Sequence, residues 1–124
     1  MSVVATYIVP ILIFSGAATA CIFLLVVFPK PLTRALFGVD PTSPFQIFLA
    51  RYVGLLVFLV GCLILYSAFH PELRPAVLVA ACIEKIFFVG FVSFGGFKRT
   101  PLLVAAAIAD ACFSLLYLAY LFRL

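Results

Sequence analysis

Four runs of about 20 or more mostly apolar residues, separated by short proline-bearing breaks, constrain this chain more than any other feature. A helix needs roughly 20 such residues to cross a bilayer, and the runs fall at about 5–28, 45–69, 74–94 and 101–122. Of the 124 residues, 68% are hydrophobic and 10% charged. A soluble domain has about half and a quarter, so most of the folded surface is expected to meet lipid. The expected fold is all-α: an integral membrane four-helix bundle running up-down-up-down, with residues 1–124 as one transmembrane domain.

The breaks carry their own signals. Pro29-Lys30-Pro31 stops the first run, because proline blocks helix continuation. Pro10 sits early in that run, where a helix tolerates it better. Residues 32–37 suit a short helix on the membrane surface, and the stretch from Gly38 to Pro44 reads as a turn leading to a new start. Ser43 is placed to cap the second helix with Pro44 at its first position. His70-Pro71-Glu72 makes the next turn, and Gly95-Gly96 ends the third run. Thr100 and Pro101 then cap and open the fourth. The sequence Ala18-Thr19-Ala20-Cys21 slightly resembles a lipoprotein cleavage site. The apolar run continues past it to Phe28 with no basic residue before it, so a spanning helix is expected rather than a cleaved signal.

Charge and cysteine usage exclude several function classes. The net charge is +4, but the eight Lys and Arg are scattered, so no nucleic-acid surface is expected. Lys30, Arg34, Lys98 and Arg99 flank one side of the proposed bundle, and Arg74 and Arg123 the other. The positive-inside rule then places both termini outside the cytoplasm of a bacterial inner membrane. Cys21, Cys62, Cys82 and Cys112 each fall in a different run without a CxxC motif, which favours packing over redox or metal chemistry and leaves inter-helix disulfides open. His70 is the only histidine, and one histidine without partners is no metal or haem site. No metal and no cofactor are expected.

Four ionisable residues nevertheless sit inside the apolar runs: Arg51, Glu84, Lys85 and Asp110. Charge at that depth is costly and is usually paired or functional. Counting from the cytoplasmic helix ends puts Asp110 at ~14 Å, Lys85 at ~14–17 Å, Glu84 at ~15–18 Å and Arg51 at ~9 Å. Thr19 falls at ~14 Å on the same scale. Two positive and two negative groups could thus meet in one neutral layer. Glu84 and Lys85 point about 100° apart, so each should face a different helix. Arg51 with Glu84 and Lys85 with Asp110 is the preferred pairing, and Arg51 with Asp110 nearly as good. Asp110, Ser114 and Tyr117 form a polar stripe on one helical face, as Ser15 and Thr19 do on the first helix. Such residues line a cavity or simply join helices. Phe87, Phe88 and Phe91 follow Glu84 and form either an aromatic wall beside it or a lipid-facing stripe. Gly16 with Ala20, and Ala50 with Gly54 and Gly61, mark close helix approaches.

The layout resembles small bacterial four-helix membrane proteins of the DoxX-like kind. The residues carrying the resemblance are the proline that ends the first helix, the amphipathic stretch after it, Ala50-Arg51-Tyr52-Val53-Gly54 with Gly61, and Glu84-Lys85 after the His70-Pro71 turn. The resemblance implies a membrane protein, in some cases linked to quinone or redox complexes. The partners expected are therefore the lipid bilayer and an apolar small molecule or quinone, with a homo-oligomer or larger membrane complex open.

Three functions compete. The first is a non-catalytic accessory or small-apolar-ligand-binding bundle, in which the charges chiefly fix helix register. The second is a proton- or ion-coupled transporter acting as an oligomer, with Glu84 or Asp110 loading the proton. The third is a membrane-embedded isomerase or cyclase using Glu84 and Asp110 as acid and base, and it requires a cavity touching both carboxylates.

Overall fold

The computed structural model describes residues 3–95 and 100–122, all helix and turn with no strand among them. A short helix, α1 (Val3–Thr6), precedes α2 (Ile8–Ala20). A 3-10 turn over Cys21–Phe23 leads to α3 (Leu24–Val27). Next come α4 (Pro29–Phe37), α5 (Pro44–Phe69), α6 (Arg74–Phe94) and α7 (Pro101–Leu121). Gly96, Lys98, Arg99 and Arg123, invoked above for a helix stop and for orientation, lie outside the described residues.

Among the described residues, four helical stretches are long and apolar enough to cross a membrane: Ile8–Val27, Pro44–Phe69, Pro71–Phe94 and Pro101–Leu121, with mean hydropathies of 2.1 to 2.4. A third or less of each is buried within the molecule. The remainder presents large apolar side chains outward, among them Phe14, Phe69, Phe94 and Leu115. Water would penalise so much exposed apolar area, whereas lipid tails would not.

The helix starts follow local chemistry. Ser43 Oγ accepts from the Gln46 backbone N–H at 3.1 Å, and Gln46 Oε1 accepts from the Thr42 and Ser43 amides. This capping box, with Pro44 at the first helical position, satisfies amides that would otherwise be orphaned. Thr100 Oγ1 accepts from Leu103 N at 3.1 Å and donates to the Leu36 carbonyl, so the cap of α7 also ties down α4. Gly38 ends α4 at φ 68, a left-handed conformation that glycine adopts without strain.

Two details lay beyond the sequence reading. The first run is helical to Val27, close to the expected end, but not α-helical throughout. It tightens to 3-10 geometry at Cys21–Phe23, where it crosses α5, and breaks at Phe28 (φ −126, ψ 67). A Cβ on Gly54 would lie 2.6 Å from Leu25 Cβ and 3.2 Å from the Ile22 carbonyl, so the crossing is backbone-close. Arg74, counted above as a loop charge, is buried. Its guanidinium reaches back across the turn and donates to the Ser67 and Ala68 carbonyls at 2.8 Å each, closing the C-terminus of α5.

α2 packs on α5 and α6 on α7, with α5 also against α6. The α2–α5 contact runs through glycines. A Cβ on Gly61 would sit 2.5 Å from the Ala20 amide nitrogen, and one on Gly16 2.9 Å from that of Leu65. Above this seam lies a core of Leu12, Ile64, Leu78, Ala81, Cys82 and Tyr117. A second, smaller core of Val92, Leu103 and Ala107 packs with Phe37 and Phe88.

Candidate functional site

Lys85 is 1% exposed, which is unusual for a lysine and requires partners. Its Nζ donates to Thr19 Oγ1 at 2.8 Å and to Asp110 Oδ1 at 2.9 Å. The Thr19 hydroxyl donates onward to the Ser15 carbonyl at 2.8 Å. The Phe113 ring, one helical turn beyond Asp110, lies with its centroid 5.5 Å from the ammonium, within cation–π range. Three elements therefore converge on one cation: α2 through Thr19, α6 through Lys85 itself, and α7 through Asp110 and Phe113.

The other half of each polar stripe closes on itself. The Tyr117 hydroxyl donates to Ser15 Oγ, and both residues are fully buried. The Ser114 hydroxyl is spent on the Asp110 carbonyl of its own helix at 2.8 Å. The stripe on α7 and the Ser15–Thr19 pair on α2 thus join across the helix interface. Ser114 and Tyr117 do not line the cavity next to Asp110.

That cavity has a volume of about 250 Å³. Glu84, Lys85 and Asp110 form its polar wall together with Thr19. The rest is apolar: Phe88 and Phe113, Val53 and Val57 from α5, and Leu36 and Phe37 from α4. Glu84 differs from its neighbours. Its Oε2 is buried and has no hydrogen-bond partner among the described residues. Phe88 lines the cavity, while Phe87 and Phe91 are 59% and 65% exposed and pack on each other outside it. The aromatic wall and the outward stripe are therefore different residues of the same run.

Arg51 is not part of this site. It is exposed and makes no ion pair among the described residues, so the expected pairing with Glu84 is absent, as is that with Asp110. The reason is rotation. Val53 and Val57 turn into the cavity, and Arg51 precedes Val53 by two residues, or about 200° around the helix. Its side chain faces away from the site.

Comparison of the chain with protein-family models, with curated proteins and with solved structures finds no match. The site is therefore read from its own chemistry. Among the described residues, no group of three or more His, Cys, Asp and Glu is arranged to hold a metal ion. His70 stacks on Tyr66 with centroids 3.9 Å apart, and its Nδ1 is 3.5 Å from the exposed Glu72. All four cysteines are free thiols. The α4 residues Leu36 and Phe37 and the α7 residue Phe113 are site residues that sequence reasoning missed. Phe113 lies three positions past Asp110, hence on its face, and that spacing was the available signal.

Proposed function

We propose that this chain is an integral membrane protein whose cavity binds a small, largely apolar molecule, with the polar end of that molecule held at Glu84 beside the Lys85–Asp110 contact. One observation carries the reading: an apolar cavity that ends in a few convergent polar groups, one of which has a buried oxygen left unpartnered. Ligand sites generally have this make-up. A buried polar atom without a partner costs on the order of 1–3 kcal/mol, and a ligand donor would recover it. An apolar cavity of about 150 Å³ holds benzene. The 250 Å³ here suits a ligand somewhat larger, of about ten non-hydrogen atoms on that scale. The cavity touches both carboxylates, as acid–base catalysis would require, but Asp110 is already held by Lys85. Binding uses the groups as they stand. The same reading has the four helices inserted in alternating directions with both termini outside the cytoplasm. Lys30 and Arg34 after the first span support it, and a C-terminal reporter active only in the cytoplasm should be silent.

Neopentylbenzene, a neutral probe of this size, tests the cavity. Added to the purified protein in lipid nanodiscs, it should raise the unfolding midpoint, with protein-free nanodiscs as the partition control. Val57→Phe, which puts a ring into the cavity, should abolish that rise while folding normally. An equal rise in the wild type and in Val57→Phe would place the probe elsewhere and defeat the reading.

A further inference from the structure

The site's charges do not cancel. With Arg51 turned away, the described residues of the cavity wall include one ammonium, Lys85, and two carboxylates, Glu84 and Asp110. From the other packed elements, α2, the 3-10 turn and α3 bring Thr19, Ile22 and Leu25, α4 brings Leu36 and Phe37, and α5 brings Val53 and Val57. Among the described residues, no further charged side chain lines the cavity. Lys85 is directed at Asp110 and Thr19, which leaves Glu84 without a counter-charge of its own. In an apolar setting one balancing positive charge is required, supplied by a proton or by an entering cation.

We infer that the cavity selects an organic monocation, an ammonium group on a compact apolar body, over a neutral molecule of the same shape. This rests on the reading of the cavity as a binding site and goes beyond it by naming the ligand's charge. Three features agree. Glu84 presents a buried, unpartnered carboxylate oxygen. The rings of Phe37, Phe88 and Phe113 line the same space, and aromatic rings around a carboxylate are the usual receptor for alkylammonium groups. The apolar remainder accepts the body of the ligand. An entering cation is repelled by one charge and attracted by two, so the sum favours it by one.

Benzyltrimethylammonium and neopentylbenzene have the same shape and differ by one charge, the quaternary nitrogen replacing a quaternary carbon. Their affinities for wild type and Glu84→Gln in nanodiscs, measured by titration calorimetry with protein-free nanodiscs subtracted, decide the matter. Glu84→Gln is expected to weaken benzyltrimethylammonium about tenfold or more and to change neopentylbenzene less than about twofold. Retained neopentylbenzene binding also shows that the variant is folded. If Glu84→Gln weakens both probes alike, or leaves the cation unaffected, the inference is overturned and the cavity reading stands. If the wild type binds only neopentylbenzene, the inference again fails alone. If the wild type binds neither, both fall.

Discussion

Lys85→Met removes the ammonium at the centre of the site while keeping an unbranched apolar stem. In the wild type that ammonium makes two charge-assisted hydrogen bonds, at 2.8 and 2.9 Å. Hydrogen bonds between membrane helices average only about 0.6 kcal/mol. This contact is expected to exceed that average, because it is ionic and because Lys85 is 1% exposed. Removing one partner of a buried pair costs about 3–5 kcal/mol. Asp110 keeps 20% of its side chain exposed, so the lower end, about 3 kcal/mol, is expected here. Asp110→Asn keeps an oxygen acceptor for Lys85 but removes the counter-charge of a buried ammonium, so it too should cost about 3 kcal/mol. Lys85→Met combined with Asp110→Asn leaves no uncompensated charge in the pair, and should recover about 1–2 kcal/mol relative to Lys85→Met alone. Equilibrium unfolding by sodium dodecyl sulfate in mixed micelles, followed by far-ultraviolet circular dichroism, measures all four proteins. A Lys85→Met variant as stable as wild type would refute the reasoning. So would a double variant no better than that single one.

Three further outcomes follow from the same structure. Gly61→Ala would place a methyl 2.5 Å from the Ala20 backbone nitrogen, where nothing flexible can yield, and should cost about 2–3 kcal/mol by overpacking. Gly90, with nothing within 4 Å of its missing Cβ, should gain about 0.5–1 kcal/mol on replacement by alanine in the same unfolding titration. Arg51→Gln should change stability by less than about 0.5 kcal/mol and leave probe binding unaltered; a loss comparable to that of Lys85→Met would return Arg51 to the site.

Element boundaries were legible because they are set by nearby residues: Ser43-Pro44, Thr100-Pro101 and Gly38 each act within one turn. The 3-10 stretch at Cys21–Phe23 was not legible, because it coincides with a crossing against Gly54, which lies far away in the chain. The same division holds at the site. Helical rise placed Thr19, Lys85 and Asp110 at one depth, and the structure joins them. Depth says nothing about azimuth, so Arg51 was assigned to a layer that it does not face. The role of Arg74 was not legible for a related reason. A charge count assigns a residue by its position in the chain, whereas this guanidinium reaches back over the turn to the carbonyls of the preceding helix.

The loss of Arg51 alters what the remaining charges mean. A neutral set of four would be complete, with every group consumed in holding helices together. The set of three divides instead. Lys85, Asp110 and Thr19 satisfy one another, and the neighbouring Tyr117–Ser15 contact extends the same seam between α7 and α2. These groups hold the wall of the cavity in place. Glu84, one residue from Lys85 but about 100° around the helix, lies on the cavity side of that seam with a buried oxygen unspent. A protein under selection for stability alone has little reason to keep a carboxylate there, since a glutamine or an apolar residue would carry a smaller desolvation cost. On the proposed reading, the position is explained by what enters the cavity. Substitution at Asp110 should act first on folding, and substitution at Glu84 first on the ligand.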